Sequence, residues 1–165
     1  MFKEKKMKKF IKIILPYLFV IIGTRLLFTK VLMLTYVPTC SMENTIPARS
    51  FRLCSRLNIN NINQYDIIVF IDPENPTRYL VKRVIGGPND TVEIKDNHVY
   101  VNGIKTREDF IKEPMICEDM TFEVPEDSYF VMGDNRNDSK DSRYLKGNYI
   151  PKSTIKAKKI CVFKK

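Results

Sequence analysis

Three segments of the chain hold side chains whose types and spacing could carry out chemistry. Ser41 lies in VPTCSMENT, residues 37–45, a loop-like context in which a lone serine is usually structural. Lys82 lies in YLVKRVIGGPNDTVEI, residues 79–94. The third segment, YFVMGDNRNDSKDSRY at residues 129–144, ends an apolar run with a dense polar cluster. A serine nucleophile needs a base, and a lysine is a known alternative to histidine, so the three segments together indicate a Ser-Lys site.

The surroundings of Lys82 leave two interpretations open. If residues 78–85 form a strand, alternation places Leu80, Lys82 and Val84 on one face. A lysine between two apolar neighbours either extends its amine to solvent at a sheet edge or buries it. Burial would lower its pKa, which is how a lysine becomes a general base.

The polar cluster at residues 133–143 also has two interpretations. It could be an ordinary polar turn. Its alternating carboxylates, amides, hydroxyls and guanidiniums instead suit a cross-braced loop behind a site, because each buried charge needs a partner and the segment supplies them.

Histidine and cysteine usage excludes several kinds of site. The single histidine, His98, rules out a multi-histidine metal site and argues strongly against catalysis by a histidine base. The four cysteines match no zinc pattern and no CxxC redox pair. Their pairing stays open, and buried or half-buried thiols are the favoured interpretation; they are Cys40, Cys54, Cys117 and Cys161.

The charge of the chain is concentrated at its two ends. The formal net charge is +9, yet residues 13–145 carry 15 bases and 18 acids. A nucleic-acid binder is expected to have a basic patch in its folded body. The mildly acidic body therefore argues against DNA or RNA as a partner.

The N-terminal segment predicts a membrane anchor. Residues 1–12 carry six Lys and one Glu, and residues 13–24 carry no charge. A cleaved export signal is the alternative, but residues 24–28 (Thr-Arg-Leu-Leu-Phe) offer no small-residue cleavage site. We expect a retained span at about residues 10–28, with Arg25 reaching the interface.

The predicted organisation follows from this span. The lysines before it place the basic tail, residues 1–9, in the cytoplasm by the positive-inside rule. Residues 29–165 then form an extracytoplasmic β domain on the cell membrane.

The soluble part is predicted to be mostly β, as a barrel or sandwich, because short β-rich runs alternate with turns. Asp96-Asn97 and Asn102-Gly103 are hairpin signals. An acidic excursion at about residues 104–127 is expected to be solvated rather than core, since residues 108–127 hold eight acids against one Lys. The predicted strands are Ile67–Ile71, Tyr79–Ile85, Thr91–Ile94, Val99–Val101, Phe122–Val124, Tyr129–Met132 and Ile155–Phe163.

These segments, in this order, resemble bacterial type I signal peptidases, and the short single-anchor layout is similar to the Gram-positive forms. The resemblance covers nearly the whole chain: the anchor, VPTCSMENT, YLVKRVIGGPNDTVEIKDNHVYVNG and YFVMGDNRNDSKDSRYLKGNYIP. It implies a mostly β fold and removal of signal peptides, after a small-x-small motif, from exported proteins.

The resemblance also implies a role for individual residues. Ser41 would be the nucleophile and Lys82 the general base. Ser139 would hydrogen-bond and orient the Lys82 amine. Thr39 matches a position whose hydroxyl helps the Ser41 backbone N–H form an oxyanion hole. Positions that the family holds near the site, or that would brace the loop behind it, are Met42, Arg83, Asp134, Asp141 and Arg143.

The chain departs from the family around the serine. The usual pattern is Gly-Ser-Met-x-Pro-Thr, and here Cys40 replaces the glycine and Asn44 the proline. The Gly-Asp usually found a few residues later is replaced at about residues 48–50. Losing the proline is expected to free the loop backbone, and losing the glycine adds a Cβ beside the nucleophile.

The sequence hypothesis is thus a membrane-anchored serine endopeptidase with a Ser41–Lys82 dyad, which needs no metal or organic cofactor. Its expected partners are signal-peptide-bearing precursors, the lipid bilayer and an export translocon. One alternative is a non-catalytic relative that binds exported chains or a surface-assembly partner. A self-cleaving Ser-Lys repressor lacks room for a DNA-binding domain, and a hydrolase using His98 is the least favoured.

Overall fold

The N-terminal third of the molecule is dominated by one apolar helix. A computed structural model of the chain describes residues 2–57 and 59–160. Helix α1, Phe2–Leu26, begins within the basic tail and continues into a π-helical turn at Leu27–Val31. The stretch Phe10–Val31 is long and apolar enough to cross a membrane, and none of it is buried against the described part of the chain. The fold is therefore a mostly β body preceded by one exposed apolar helix.

Eleven strands, as far as the chain is described, build the β body. They form one antiparallel sheet in the order β1-β2-β11-β3-β4-β9-β10 and a smaller one in the order β7-β6-β5-β8. The strands are β1 Leu32–Val37, β2 Ser50–Ser55, β3 Ile67–Ile71, β4 Tyr79–Gly86, β5 Thr91–Lys95, β6 His98–Val101, β7 Ile104–Lys105, β8 Met120–Glu123, β9 Ser128–Met132, β10 Ile150–Pro151 and β11 Ile155–Ile160.

The hairpin signals in the sequence are confirmed by the backbone. Asp96 and Asn97 connect β5 to β6 with φ values of 51° and 64°. Asn102 and Gly103 connect β6 to β7 with φ values of 51° and 77°. Two successive positive φ values are what a two-residue turn needs to match the twist of the flanking strands.

The predicted strands are all present, with ends that shift by one or two residues. Of the predicted strand at Ile155–Phe163, residues 161–163 lie outside the described residues. The sequence analysis missed the short strands β7 and β10 as well as β1 and β2, which pair antiparallel with Leu34 opposite Leu53. It missed β1 because Thr29 and Lys30 are the only polar residues between that strand and the predicted span, so Leu32–Val37 resembles a continuation of it.

Three groups of buried side chains form the core, and one of them holds the two sheets together. One joins β4 and β9 of the large sheet to β5 and β6 of the small sheet, around Ile85 and Phe130. A second lies between the large sheet and the β1–β2 connection, around Met42 and Ile46. A third covers the opposite face of β3, β4 and β9, around Phe70. The β1–β2 connection is thus part of the core rather than a free loop.

The acidic segment differs from its prediction. Phe110 and Met115 are only 8% and 3% exposed and belong to the core that joins the sheets. The guanidinium carbon of Arg83 stacks over the Phe110 ring at 4.1 Å. The expectation of a wholly solvated excursion is therefore wrong, because the apolar residues between the acids fold inward while the acids stay outside.

Candidate active site

Strand β4 carries Lys82 into an apolar environment. Its neighbours β3 and β9 pair with it on both sides, and Ile68 of β3 lies opposite Lys82. Leu80 and Val84 pack with Ile68, as expected for the same face of the strand. Lys82 is only 3% exposed. Of the two interpretations of Lys82, the buried amine is the correct one.

Burial changes the acid–base behaviour of this amine. Desolvation lowers the pKa of Lys82 from 10.5 to about 8, and the nearby charge of Asp141 opposes this only in part. A buried ammonium loses its hydration, so the neutral amine is favoured. A substantial fraction of Lys82 is consequently neutral just above neutral pH.

The connection between β1 and β2 holds Ser41 in a tight turn. The N–H of Glu43 donates to the Cys40 carbonyl at 2.9 Å, and that of Ile46 donates to the Met42 carbonyl at 2.7 Å. Met42 and Ile46 are fully buried, so they pin the turn to the core. The position of Ser41 is set by this packing, and the residue is 7% exposed.

Ser41 and Lys82 line the same cleft. Its volume is about 280 Å³, and Val37, Leu80 and Val81 contribute apolar walls. The Thr39 hydroxyl oxygen, also in this cleft, lies 3.3 Å from the Ser41 Oγ. A nucleophile, a lysine with a lowered pKa and a neighbouring hydroxyl thus share a cleft with room for small side chains.

The polar loop after β9 contacts the serine turn directly. The backbone N–H of Asn135 donates to the Ser41 carbonyl at 3.1 Å, and the Asn135 side-chain amide donates to the Cys40 carbonyl at 3.2 Å. An added Cβ on Gly133 would lie 2.4 Å from the Ser41 carbonyl oxygen and 2.2 Å from the Ser139 Oγ. Glycine is required there because the two segments approach too closely for any side chain.

An internal ion pair braces this loop, as the sequence predicted. The Arg143 guanidinium donates to both carboxylate oxygens of Asp141, at 2.8 and 2.9 Å, and both residues are buried. Asp141 also accepts the Gly133 N–H at 2.9 Å, and Arg143 donates to the Arg136 carbonyl at 2.6 Å. The carboxylate and guanidinium therefore fix both ends of the loop.

A second ion pair connects the lysine strand to this loop and to the serine turn. Arg83 donates to the two carboxylate oxygens of Asp134 at 2.8 and 2.7 Å. Thr45 donates to Asp134 at 2.5 Å and accepts from Arg83 at 3.2 Å. The three segments that the sequence singled out are thus joined through one buried network.

Ser139 does not make the expected hydrogen bond. Its Oγ is buried and has no hydrogen-bond partner among the described residues. The Ser139 hydroxyl lies close to Gly133, at the place where a Cβ on that residue would stand, and makes no hydrogen bond to the Lys82 amine. In this structure the orienting contact between Ser139 and Lys82 is therefore absent.

Two other reactive groups, the Cys40 thiol beside Ser41 and the His98 imidazole, are unsuited to replace Ser41 or Lys82. The Cys40 thiol donates to Asp138 at 2.7 Å, and this bond raises the thiol pKa, so the thiolate is disfavoured. His98 lies on β6 of the small sheet, where its Nδ1 is 3.1 Å from Glu108. Neither group competes with Ser41 and Lys82 on geometry.

Sequence reasoning did not assign roles to Thr45, Asn135 or Gly133. Their contacts join segments far apart in the chain, which no local spacing reveals. Only Gly133 carried a signal, because a glycine at the end of an apolar strand often marks a close backbone approach.

Comparison with known families identifies the family of the chain. It matches, over residues 7–164, the family described as signal peptidase, peptidase S26. The chain belongs to this family.

The relatives of this signal peptidase family member agree with the match. It is 34% identical over 131 residues to a probable signal peptidase I-2 from Synechocystis sp., covering 73% of this chain and 57% of the relative. It is 35% identical over 125 residues to signal peptidase I P from Bacillus subtilis subsp. natto, covering 66% and 67% of the two chains. The chain thus spans between about half and two thirds of the length of these curated relatives.

A solved structure is also similar. It is a signal peptidase I from Enterococcus faecalis V583, 33% identical, with a TM-score of 0.53 over 59% of this chain and 95% of that one. The mostly β fold of the body is therefore a signal peptidase fold.

The departure from the signal peptidase pattern at Asn44 does not loosen the serine turn. The Asn44 side chain donates to the carbonyls of Phe110 and Ile111 at 3.1 and 3.3 Å, and Glu43 pairs with Lys112 at 2.7 Å. The expectation that losing the proline frees this loop is wrong, because side-chain contacts hold the turn to the segment after β7.

Proposed function

We propose that this chain is a membrane-anchored serine endopeptidase that removes N-terminal signal peptides from exported proteins. The observation that carries the proposal is the placement of Ser41 and Lys82 in one cleft, with the lysine pKa lowered to about 8. Membership of the signal peptidase family supports the same conclusion.

Proton transfer by Lys82 explains how the serine becomes a nucleophile. The neutral Lys82 amine takes the proton of Ser41 as Oγ attacks the carbonyl carbon of the scissile bond. The Ser41 backbone N–H and the Thr39 hydroxyl stabilise the oxyanion of the tetrahedral intermediate. The Lys82 ammonium then donates its proton to the leaving amine, and the signal peptide remains as an ester on Ser41.

Hydrolysis of this ester completes the cycle. Lys82, neutral again, takes a proton from water as the water attacks the ester carbonyl. Collapse of the second intermediate returns the proton to Ser41 and releases the signal peptide. No metal or organic cofactor is needed, since proton transfer and hydrogen bonding supply every step.

The size of the cleft fits a small-x-small preference. Apolar walls and a volume of about 280 Å³ accommodate small side chains at the positions before the cut. The buried Asp141–Arg143 and Arg83–Asp134 pairs keep the serine turn and the lysine strand in fixed relative positions while substrate binds.

The anchor and the basic tail determine where in the cell the proposed enzyme lies. With the lysines of the tail in the cytoplasm and α1 in the bilayer, the β body lies on the outer face of the cell membrane. The partners there are precursors that carry signal peptides, the lipid bilayer and an export translocon.

Cleavage of a precursor by the full-length protein tests the proposal. Wild type should cut a signal-peptide-bearing precursor after a small-x-small motif. Ser41→Ala and Lys82→Ala should each lose at least about a thousandfold in kcat/KM. Cys40→Ser, which changes the adjacent residue, is the matched control and should keep substantial activity.

Two results would overturn this assignment. Full activity of Ser41→Ala with loss in Cys40→Ser would make the thiol the nucleophile. Binding of the precursor without cleavage by wild type would favour the non-catalytic relative that the unusual residues around Ser41 suggested.

A further inference from the structure

A second, larger cavity lies where the apolar helix meets the β body. This groove of about 810 Å³ lies between the π-helical turn after α1, the end of β2, the β8–β9 turn and the start of β11. Its size falls within the range typical of ligand sites. The cleft that holds Ser41 shares none of its lining residues.

Four basic side chains converge on the groove from three separate segments. Lys30 comes from the π-helical turn, Arg56 from the end of β2, and Lys152 and Lys156 from the region that starts β11. Within residues 2–57 and 59–160, none of the four takes part in an ion pair. Two exposed carboxylates, Glu126 and Asp127, also line it, so positive charge is in excess.

Arg56 has a donor directed at no acceptor. Its Nε is buried and lacks a hydrogen-bond partner, although its Nη1 donates to the Lys156 carbonyl at 3.4 Å. The buried Nε has no surface that a ligand can reach, so the guanidinium can offer only its Nη donors to an acceptor in the groove. Phosphate oxygens are well suited to guanidinium donors.

The place of the groove in the chain decides among phosphate-bearing ligands. Thr29 and Lys30 line it and also fall within the last residues of the apolar stretch Phe10–Val31. In a spanning helix these residues lie at the level of the lipid headgroups. The groove therefore opens where membrane phosphodiesters are concentrated, which favours a lipid over a soluble phosphate.

We propose that this groove binds the headgroup of an anionic membrane lipid of the phosphatidylglycerol type. Its phosphodiester pairs with Arg56 and the three lysines, and its glycerol hydroxyls donate to Glu126 or Asp127. The bound lipid bridges the end of the helix and the β body, which sets the orientation of the body on the bilayer. The inference rests on the membrane anchoring proposed above.

Lipid retention by the full-length protein tests this inference. The protein is placed in nanodiscs of phosphatidylcholine with one-fifth phosphatidylglycerol, extracted gently, and its retained lipids are counted by native mass spectrometry. Wild type should retain phosphatidylglycerol preferentially. Replacing Arg56 and Lys156 by Gln together should weaken that preference roughly 25-fold.

Matched variants separate the groove from general charge effects. Lys95→Gln with Lys105→Gln removes the same charge from exposed positions of the small sheet and should leave the preference unchanged. Lys30→Gln with Lys152→Gln leaves the Arg56 bond intact and should weaken the preference as well, which covers the case that loss of Arg56 impairs folding.

Two further measurements are needed. One distinguishes a lipid from a soluble phosphate, and the other distinguishes failure of the lipid site from failure of the membrane anchor. Glycerol 3-phosphate in the buffer should not displace the lipid; displacement would make this a soluble-phosphate site and overturn the proposal. Equal retention of phosphatidylethanolamine or phosphatidylcholine would also overturn it. Wild type that floats with vesicles but shows no lipid preference defeats this inference alone, whereas wild type that does not float defeats the anchor as well.

Discussion

The buried amine of Lys82 makes a specific pH dependence unavoidable. As the proposed general base, Lys82 can accept the Ser41 proton only when neutral, and burial lowers its pKa to about 8. We expect kcat/KM on a small-x-small peptide to rise with pH through about 8, well below the value of a free lysine near 10.4. Measurement from pH 6 to 11 checks this. Lys82→Arg should be inactive throughout, because a guanidinium stays protonated.

The result that contradicts this assignment involves His98. A rising limb near pH 6.5 that disappears in His98→Ala, with Lys82→Ala still active, would make the histidine the base.

The same residue also lowers the stability of the fold. The pKa of Lys82 is about 8 in the folded state and near 10.5 in the unfolded chain. Below pH 8 the amine is charged in both states, and the folded state must keep that charge buried. The penalty is roughly 3 kcal/mol below the folded pKa, and it vanishes as pH rises to the unfolded pKa. Lys82→Met should therefore stabilise the protein by about 2–3 kcal/mol at pH 7 and by almost nothing near pH 10.5.

Denaturant unfolding at the two pH values measures this difference. Equal stability changes at both would show that packing, rather than charge, accounts for the effect. An inactive variant that is more stable than wild type is the expected sign of a functional residue held at a cost to the fold.

At the level of elements, the closeness of the loop after β9 to the serine turn gives a steric prediction. Gly133→Ala places a Cβ within 2.2 Å of Ser139 and 2.4 Å of the Ser41 carbonyl. The segments must move apart, at a cost of about 1–3 kcal/mol, and Ser41 moves with them. We expect a strong loss of kcat beside this loss of stability.

Gly87→Ala is the matched control for that change. An added Cβ there meets only the Asp90 side chain, at 3.5 Å. Thermal unfolding and precursor cleavage should be close to wild type. Wild-type activity in Gly133→Ala would show that the two segments are not as rigidly coupled as their contacts indicate.

The serine turn predicts that restoring the usual family residue harms this protein. Asn44 has φ 90°, whereas proline fixes φ near −65°. Asn44→Pro should cost at least about 1 kcal/mol and reduce activity. Asn44→Gly keeps the backbone conformation and loses only the side-chain bonds to the carbonyls of Phe110 and Ile111, so it should be milder.

Comparison of unfolding midpoints for the two variants checks this ranking. Asn44→Pro as stable as wild type would mean that residue 44 readily leaves its positive φ.

These elements show what a sequence can and cannot predict here. Strands such as β3 and β4 were predictable because apolar runs end at turn residues, and the face of Lys82 followed from alternation. Ser41 and Lys82 came from motifs in a familiar order. The clamp of Asn44 on residues 110–111 was not predictable, because it joins segments more than sixty residues apart through bonds that depend on the tertiary fold. The burial of Phe110 was hidden by its acidic neighbours for the same reason.

For the whole molecule, the charge asymmetry predicts one orientation in the membrane. Protease added to intact spheroplasts should digest the β body, and a tag placed before Met1 should stay protected. The lysines of the tail favour the cytoplasmic side, so the opposite orientation is disfavoured. Complete protection of the β body in cells with a sealed membrane would refute this topology.

The absence of any spacer between helix and sheet limits how far the catalytic serine can stand above the bilayer. Strand β1 begins at Leu32, directly after the helical turn ends at Val31, and Ser41 lies ten residues after Val31. Ten residues span at most about 35 Å, and the strand itself rises only about 20 Å. Under the proposed function, this short connection restricts cleavage to a scissile bond that lies within that distance of the membrane surface. Since an extended substrate covers about 3.3 Å per residue, this allows roughly ten residues between the membrane-embedded part of a precursor and the bond that is cut.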